Sequence, residues 1–408
     1  MNDLKNFNSR RDTLSCSEVN GETAASRANA DKTNQTNQKI YLDNAATTKP
    51  DSEILAATVS YAENGGFYNP SALYKCGRFA KSELEKARAE ILSFFPSGYE
   101  LVFTSCGSEA DEQAIFSFAK HGNAVTSVGE HAAVINSFSV LKQNGTEVRL
   151  APLTEGGAVN ADELLKLVDD KTAFVSVMHV NNETGAINDV SAIAKAVKAK
   201  NPRVIFHSDG VQAFLKIPQK ISSYVDLYSV SAHKICALKG VGALVYKKGL
   251  ALKPVIYGGG QEKGLRSGTE NTFGIKVFAD CAKKYADVKQ NYECALNLKN
   301  LFLSELSPEI KVISPENSSP YVISISCAGV KGEIMQRVLD DEGLIVGTGS
   351  ACSSKIGVSR VISACVKDGK IAQGALRISL IFTTTEDEIV YCARKINECY
   401  LKLKGKLL

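Results

Sequence analysis

The strongest constraint on the fold of this chain is a repeating pattern, in which short runs of β-branched and aromatic residues are followed by longer amphipathic segments. Residues 100–104, 173–179 and 203–208 have the composition of buried strands, and residues 111–120 and about 191–200 that of amphipathic helices. Helices of this length supply the crossover that two parallel strands need. The pattern therefore predicts an α/β protein built from βαβ units around a mostly parallel sheet.

The pattern also predicts how the chain is divided. Residues 1–38 are polar and contain almost no large apolar residues, so a disordered tail is expected there. A large domain is predicted at residues 39–260, although its first residues, up to about 53, are also compatible with packing on the second domain. A smaller α/β domain is predicted at residues 261–408, with a strand at 321–326 and a helix from about 385 to 403.

Composition and charge exclude several classes of protein. The chain has 48 basic and 44 acidic residues, a balance too even to indicate direct nucleic-acid or membrane binding. Its 11 cysteines are scattered without a Cys-x-x-Cys pair, and its 5 histidines lack metal-binding spacing, so neither a metal nor a disulfide framework is expected. No apolar stretch reaches the ~18 residues that a membrane span needs. A cytoplasmic protein is predicted.

Polar turns follow the predicted strands, where ligands collect in an open parallel sheet. The first turn, residues 103–109, contains Gly107 and Ser108, and Ser108 with Asp111 matches a capping box at the start of a helix. Free backbone N–H groups and a hydroxyl in such a turn can hold a phosphate. An ordinary helix start has the same residues, so this turn alone does not decide between the two.

Three further turns carry amide, carboxylate and amine groups. Their polar residues are Asn182, Asp209, Gln212, Ser231, His233 and Lys234. Each has an ordinary structural interpretation, since Asp often forms turns and Lys usually lies on the surface. Together they supply what pyridoxal 5′-phosphate (PLP) requires: a carboxylate for the pyridine nitrogen, a lysine for the aldehyde, and donors for the ring hydroxyl and phosphate. We predict that Lys234 binds PLP covalently and that the site lowers its pKa.

From residue 40 to about 396 the chain resembles the NifS/IscS-like cysteine desulfurases of the class V aminotransferase superfamily. The similar stretches are residues 41–48, 102–105, 178–183, 231–235, 258–262, 266–269 and 349–353. The resemblance implies the PLP-dependent transferase fold, with a mostly parallel seven-stranded sheet in the large domain and a smaller α/β domain. It also implies a homodimer with shared active sites.

The resemblance implies a role for each site residue. Lys234 would carry PLP and Asp209 would pair with its pyridine nitrogen, while Gln212 and Asn182 would reach the ring hydroxyl. His131 would stack on the ring and move protons. The expected phosphate ligands are Gly107, Ser108, Ser231 and His233, with Thr269 from the partner subunit.

The resemblance further implies a reaction in which sulfur leaves L-cysteine and L-alanine is released. Arg377, with Asn182, would bind the substrate, because a guanidinium can hold a carboxylate through two parallel hydrogen bonds. Cys352 lies in a run of small residues, 347–354, which suits a nucleophile on a mobile loop. Its persulfide would pass to a sulfur acceptor such as an iron–sulfur scaffold protein or a tRNA-thiolation enzyme.

Three segments depart from the pattern of the family, and two other interpretations stay open. The atypical segments are residues 68–74, 236–238 and 381–382. A selenocysteine lyase or another class V enzyme would share most of the same residues, including Cys352. A non-catalytic scaffold protein is the alternative of another class, and the presence of Lys234, Asp209, His131 and Cys352 argues against it.

Overall fold

The computed structural model of the chain describes residues 39–119, 121–349 and 358–405. The predicted tail at 1–38 and the predicted nucleophile Cys352 lie outside the described residues. The strands are β1 Ile40–Tyr41, β2 Tyr99–Thr104, β3 Asn123–Ser127, β4 Glu147–Ala151, β5 Thr172–Ser176, β6 Ile205–Asp209, β7 Leu227–Ser231, β8 Gly242–Lys247, β9 Lys311–Val312, β10 Val322–Ser326, β11 Leu344–Ile345 and β12 Ala375–Ser379.

Helices fill most of the segments between these strands. They are α1 Ser52–Tyr61, α2 Lys75–Leu92, α3 Gly107–Phe118, α4 Ala132–Gln143, α5 Ala161–Leu167, α6 Val190–Lys200, α7 Thr272–Lys284, α8 Val288–Glu305, α9 Gly332–Asp341, α10 Arg360–Cys365, α11 Gly369–Gln373 and α12 Glu386–Lys404. None of the helices in the described part of the chain is long and apolar enough to cross a membrane.

Seven of the described strands form the larger sheet, in the order β2-β8-β7-β6-β5-β3-β4. Strands β3 to β7 pair in parallel, and β8 runs antiparallel to both of its neighbours, β7 and β2. Strands β2 to β7 therefore all point in one direction. The prediction of an α/β fold with a mostly parallel seven-stranded sheet is confirmed.

Two strands of this sheet are buried along their whole length. Every residue of β3 and of β7 is buried, which is the pattern expected where helices cover both faces of a parallel sheet. Polar side chains are buried here as well, among them Thr126 of β3 and Ser229 of β7.

A second core lies under two smaller sheets. Strands β12, β10 and β9 form one antiparallel sheet, and β1 pairs in parallel with β11. Residues from several elements meet in this core, among them Leu42, Phe302, Ile323, Leu339 and Ile396. The strand expected at 321–326 is β10, and the helix expected at about 385–403 is α12. The domain boundary at residue 260 stays a prediction.

The predicted capping box at Ser108 is wrong. Helix α3 begins at Gly107, and its N-cap residue, Cys106, makes no side-chain capping bond. Asp111 is buried within the helix, 1% exposed, and its Oδ1 lies 3.6 Å from Nε2 of His207 in β6 instead of reaching back to the helix start. The turn is closed by Glu109, which accepts hydrogen bonds from the backbone N–H of Ser105 (2.7 Å) and from its hydroxyl. The first N–H groups of α3 are left without a side-chain cap.

Two of the atypical segments meet in the interior. Phe382 stacks on Tyr285 at 4.3 Å between ring centroids and lies edge-on to Tyr321 at 5.8 Å. Cys236 is buried and has a left-handed backbone conformation, with φ of 61°. Cys236 and Tyr285 belong to the same buried core, and Phe382 packs against that core. The two atypical segments therefore share one core.

The third atypical segment lies on the surface. Tyr68 stacks on Phe67 at 4.1 Å, and Tyr74 is 55% exposed.

A buried ion pair ties α2 to the segment that follows β8. Arg88 binds both carboxylate oxygens of Glu262, at 2.7 and 2.8 Å, and Glu262 also accepts a hydrogen bond from the backbone N–H of Phe103 at 2.9 Å. Arg88 and Glu262 are 8% and 7% exposed. Each charge is therefore compensated by the other and by a hydrogen bond.

We predict that Arg88→Met lowers the free energy of unfolding by about 3–5 kcal/mol, because it leaves the carboxylate of Glu262 buried without its cation. Urea unfolding measures this difference. Lys86→Met is the matched control on the same helix: Lys86 pairs with Glu83, but its side chain is 71% exposed, so a change below about 1 kcal/mol is expected. Equal losses in the two variants would contradict the assignment of the buried pair.

Candidate active site

A cavity of about 380 Å³ opens at the carboxyl ends of the parallel strands. The loops after β2, β3, β5, β6 and β7 contribute to its wall, because these strands point the same way. Ten of the residues predicted from the sequence line it: Gly107, Ser108, His131, Asn182, Asp209, Gln212, Ser231, His233, Lys234 and Arg377.

Two predicted site residues are not in this group. Thr269 is exposed and lies in a separate depression with Ser105 and Arg266. Its contact with a partner's phosphate stays a prediction. Cys352 lies outside the described residues, although Gly349, the last described residue before it, lines the cavity.

Lys234 lies in a short 3-10 helix, Ala232–Lys234, directly after β7. Its ammonium donates to the backbone carbonyls of Ala45 at 2.5 Å and Ala46 at 2.8 Å. Burial lowers its pKa to about 7, with repulsion from Lys216 as the next cause. Near neutral pH a large fraction of this amine is uncharged, which is the form that can attack an aldehyde.

Asp209 is the last residue of β6 and is 5% exposed. Its Oδ1 accepts a hydrogen bond from the backbone N–H of Val211 at 2.9 Å. Burial raises its pKa, and the neighbouring His131 and Lys234 act in the opposite direction. A cationic N–H facing this carboxylate would further favour its charged form.

His131 caps helix α4, and its bonding fixes which nitrogen carries the proton. Its Nδ1 accepts a hydrogen bond from the backbone N–H of Ala133 at 3.2 Å. Desolvation lowers the pKa of the imidazole, so the neutral ring carries its proton on Nε2. In this arrangement His131 presents a donor to the cavity rather than a base.

An anion cradle lies at the start of α3. The helix begins without a side-chain cap, and the Ser231 hydroxyl beside it is buried without a hydrogen-bond partner among the described residues. A Cβ on Gly107 would lie 2.8 Å from a methyl of Val211 and 3.4 Å from Cβ of Ser231, so only glycine fits. Exposed helix N–H groups and a hydroxyl form a site for phosphate.

Two more polar side chains complete this wall. His233 contacts the Thr47 hydroxyl through Nδ1 at 3.1 Å, and burial lowers its pKa to about 3, so it offers a neutral imidazole. Gln212 donates from Nε2 to the carbonyl of Ala45 at 2.8 Å, while its buried Oε1 has no partner in the described part of the chain. Gln212 therefore retains a free acceptor.

Arg377 in β12 joins three segments of the site. It is 6% exposed and donates to the carbonyls of Asn182 (2.8 Å) and Gly349 (3.0 Å) and to Asp43 Oδ1 (2.8 Å). Its buried Nε has no partner among the described residues. A Cβ on Gly347 would lie 3.0 Å from Nη2 and 3.2 Å from Nε. Gly347 therefore packs against the Nε–Nη2 side of the guanidinium without a side chain, and the Nε–H there is a donor that no described residue uses.

Several cavity residues were not singled out in the sequence. Glu130 precedes His131; it accepts hydrogen bonds from the Ser127 hydroxyl (2.7 Å) and the Met178 N–H (3.1 Å), and burial raises its pKa to about 8. In the sequence, its position directly before His131 was the feature that could have pointed to Glu130 as a cavity residue. Arg360 of α10 donates to the carbonyls of Val128 and Glu130; no local pattern pointed to it. Glu183 and Asp111 also line the cavity.

The donor set fits PLP. The cavity brings together the amine of Lys234, the buried carboxylate of Asp209 and the start of α3. The Ser231 hydroxyl and the Gln212 side-chain oxygen have no hydrogen-bond partner among the described residues. A phosphate, a pyridine nitrogen and a ring hydroxyl are the groups that these residues would satisfy.

Comparison with known proteins places this geometry in a family. Residues 40–391 match the family model described as aminotransferase class-V. The chain belongs to the class V aminotransferase family. A relative from Dictyoglomus turgidum, named cysteine desulfurase IscS, is 34% identical over 380 residues, covering 90% of this chain and 96% of the relative. Another, from Azotobacter vinelandii, named cysteine desulfurase NifS, is 33% identical over 379 residues, covering 90% and 94%.

Solved structures agree with this membership in the class V family. A structure titled NIFS-like protein is 34% identical, with a TM-score of 0.81, and covers 88% of this chain and 98% of its own. A NifS-like protein from Rickettsia africae is 28% identical, with the same TM-score, and covers 89% and 99%. Enzymes of the class V family use PLP, which agrees with the donor set of the cavity.

The position of Asp209 depends on the glycine that follows it. A Cβ on Gly210 would lie 1.9 Å from the ring of Tyr228. We predict that Gly210→Ala lowers the free energy of unfolding by about 1–3 kcal/mol or more, because the buried ring must move. Urea unfolding measures this. Gly369→Ala is the control, since no atom lies within 4 Å of its Cβ position; identical unfolding midpoints in the two variants would contradict the prediction.

Proposed function

We propose that this chain is a PLP-dependent cysteine desulfurase, which removes sulfur from L-cysteine and releases L-alanine. The observation that carries the proposal is the cavity itself, where Lys234 and Asp209 come together with Arg377, whose Nε–H has no partner among the described residues. The relatives named cysteine desulfurase, which align with about nine tenths of this chain, support the same reaction.

The cofactor would be held at three points. Lys234 would bind its aldehyde carbon covalently, Asp209 would pair with its ring nitrogen, and the start of α3 with Ser231 would hold its phosphate. Bound there, PLP supplies an electron sink that weakens bonds at the α and β carbons of an amino acid. The remaining steps depend on the residues of the chain.

Arg377 would position the substrate. Its free Nε and one Nη2 hydrogen lie on a single edge, and its other donors are already used by Asn182, Gly349 and Asp43. The guanidinium is thus held rigidly before the substrate arrives, and a carboxylate can accept two parallel, charge-assisted hydrogen bonds from it.

Two residues of the cavity are candidates for the base that accepts the α-proton of the substrate. Lys234 has a pKa of about 7 and can accept the α-proton of the substrate once its amine is free. His131 carries its proton on Nε2 because its Nδ1 is used as an acceptor. We therefore assign the base to Lys234, and to His131 the role of a stacking residue that donates a hydrogen bond.

Cys352 would receive the sulfur. Its thiolate would attack the sulfur of the substrate, the carbon–sulfur bond would break with its electron pair staying on carbon, and that carbon would gain a proton. The products are alanine and a persulfide on Cys352, and no external oxidant is needed.

The persulfide would pass to an acceptor such as an iron–sulfur scaffold protein or a tRNA-thiolation enzyme. The active enzyme would be a homodimer in which Thr269 of the partner subunit completes the phosphate site. The exposed position of Thr269, away from the cavity of its own chain, is compatible with this arrangement.

Two variants test the proposal. Lys234→Ala is expected to lose the visible absorbance of the covalently bound cofactor, because no other amine replaces it. Cys352→Ala is expected to keep this absorbance and to form no persulfide, measured by mass spectrometry and by alanine release from L-cysteine. Cys76→Ala is the matched control, since Cys76 is exposed and lies outside the cavity. Full turnover by Cys352→Ala would refute the sulfur-transfer step.

The role of Arg377 has its own test. We predict that Arg377→Lys raises KM for L-cysteine roughly tenfold to a hundredfold, because a single ammonium cannot make two parallel bonds to the carboxylate. Steady-state kinetics of alanine release measures this. Arg394→Lys, on the surface of α12, is the control and should leave KM unchanged. An unchanged KM in Arg377→Lys would show that the substrate carboxylate binds elsewhere.

A further inference from the structure

A second cavity lies apart from the one that contains Lys234. Its volume is about 370 Å³, and among the described residues the two cavities have no lining residue in common. Tyr228 of β7 lines the second cavity, whereas Ser231 of the same strand lines the first. Successive side chains of a strand point to opposite faces, so these two residues lie on opposite faces of the larger sheet. The sheet therefore separates the second cavity from the proposed cofactor site.

The wall of the second cavity is mostly aromatic and aliphatic. Phe95 stacks on Phe214 with 5.8 Å between ring centroids and lies edge-on to Tyr228 at 5.7 Å. Phe94 meets Phe214 edge-on, also at 5.8 Å. These contacts hold the rings in place, so the cavity is formed before any ligand enters. Concave apolar sites of this size that are already formed are typical of small-molecule binding.

The segment that follows β6 forms part of the wall of both cavities. Gln212 lines the first cavity, and Ala213 and Leu215 line the second. Leu215 is 4% exposed and has a left-handed backbone conformation, with φ of 59°. Because it is not a glycine, this conformation costs free energy that the surrounding packing must offset. The packing therefore holds this wall in one specific conformation.

One buried polar atom in the wall of the second cavity is unsatisfied. His179 is 2% exposed, and its Nδ1 lies 2.8 Å from the hydroxyl of Tyr228. Its Nε2 is buried and has no hydrogen-bond partner among the described residues. Leaving a buried polar atom without a partner is costly, so the atom points to a group that enters the cavity.

The bond to Tyr228 fixes which nitrogen of His179 carries the proton. Burial lowers the pKa of the imidazole to about 4, with Gln219 acting in the opposite direction, so the ring is neutral at pH 7. Within the described part of the chain, the Tyr228 hydroxyl has no acceptor other than Nδ1 of His179, so it donates its proton there. The proton of the neutral ring is then on Nε2. His179 therefore presents an N–H donor to the cavity.

The charged residues of this cavity lie at its rim. They are Lys220, Asp287 and Lys289, all of which are exposed and which include both signs. None of the charged side chains that line this cavity in the described part of the chain is buried. An ionised ligand would therefore be buried there without a counter-charge, which is unfavourable.

We propose that the second cavity binds an uncharged aromatic compound whose carbonyl or similar acceptor oxygen receives a hydrogen bond from Nε2 of His179. The aromatic wall offers stacked and edge-on contacts to a ring. The acceptor oxygen satisfies the buried N–H, which a hydrocarbon of the same shape cannot do. The site is distinct from the proposed cofactor site and does not depend on the desulfurase reaction.

The test compares acetophenone with ethylbenzene, which has a similar shape but no acceptor. The full-length chain with its cofactor bound is labelled with ¹⁵N-histidine, and its 5 histidines give few imidazole resonances. Acetophenone is expected to shift the Nε2–H resonance of His179 until the site is saturated. Ethylbenzene is expected to bind roughly tenfold more weakly, because it leaves the donor unpaired. The resonance is assigned by its absence in His179→Asn.

His179→Asn tests the donor itself. Asparagine keeps an acceptor for the Tyr228 hydroxyl and removes the N–H at Nε2. The preference for acetophenone over ethylbenzene should fall from about tenfold to about onefold. A folded variant that keeps the full preference would overturn the role of His179; circular dichroism establishes that it is folded.

A second pair of variants tests the location without changing a buried residue. Ala286 is exposed and lines the cavity, so Ala286→Trp should fill its mouth and abolish binding of both compounds. Ala199→Trp, at an exposed position of α6 outside the cavity, is the matched control and should bind both compounds as the wild type does. Acetophenone binding that persists in Ala286→Trp would place the ligand elsewhere and overturn the proposal.

Two results with the wild type alone would also overturn the proposal. One is the absence of a saturable shift at His179 with acetophenone, which would leave the cavity to water. The other is equal affinity for the two compounds, which would show that the acceptor oxygen contributes nothing. These measurements do not follow cysteine turnover, so their failure is distinct from a failure of the desulfurase assay.

Discussion

The common direction of strands β2 to β7 is the constraint on which the site depends. Parallel strands end at the same edge of a sheet, so the residues that follow β2, β3, β5, β6 and β7 are brought together although they are far apart in the chain. The turns after these strands carry most of the polar side chains that line the cavity. A cavity with converging polar side chains is the direct result.

Arg377 extends this arrangement beyond the larger sheet. It belongs to β12 of a smaller sheet, yet its guanidinium binds Asp43, which follows β1, and the carbonyl of Asn182, which follows β5. The part of the cavity next to Arg377 therefore exists only when these segments are packed together. Because three partners already hold the guanidinium, the fold itself fixes its orientation.

The chemistry of the cavity depends on charges that the fold keeps out of water. Lys234 has a lowered pKa and Asp209 a raised one for the same main reason, which is burial. The charges of neighbouring residues add to or oppose the effect of burial and so set the size of each pKa shift.

Most of the fold could be predicted from local patterns. Buried strands such as β6 and β10 appear as short apolar runs, and α12 appears as an amphipathic segment, because their burial follows the period of the structure they form. The start of α3 was predicted wrongly. Residues 108–111 have the pattern of a capping box, but Asp111 is buried 3.6 Å from the imidazole of His207 in β6, a tertiary contact that the local sequence does not reveal.

The sequence by itself determined which residues could do the chemistry: a lysine after β7, an aspartate after β6, glycine and serine after β2, and an arginine in β12. These follow from strand ends and from motifs, both of which are local. Only the tertiary structure decided the proton position on His131, the unpartnered Nε–H of Arg377 and the lowered pKa of Lys234. These properties depend on desolvation and on partners from distant segments, and such contacts form only when the sheets pack together.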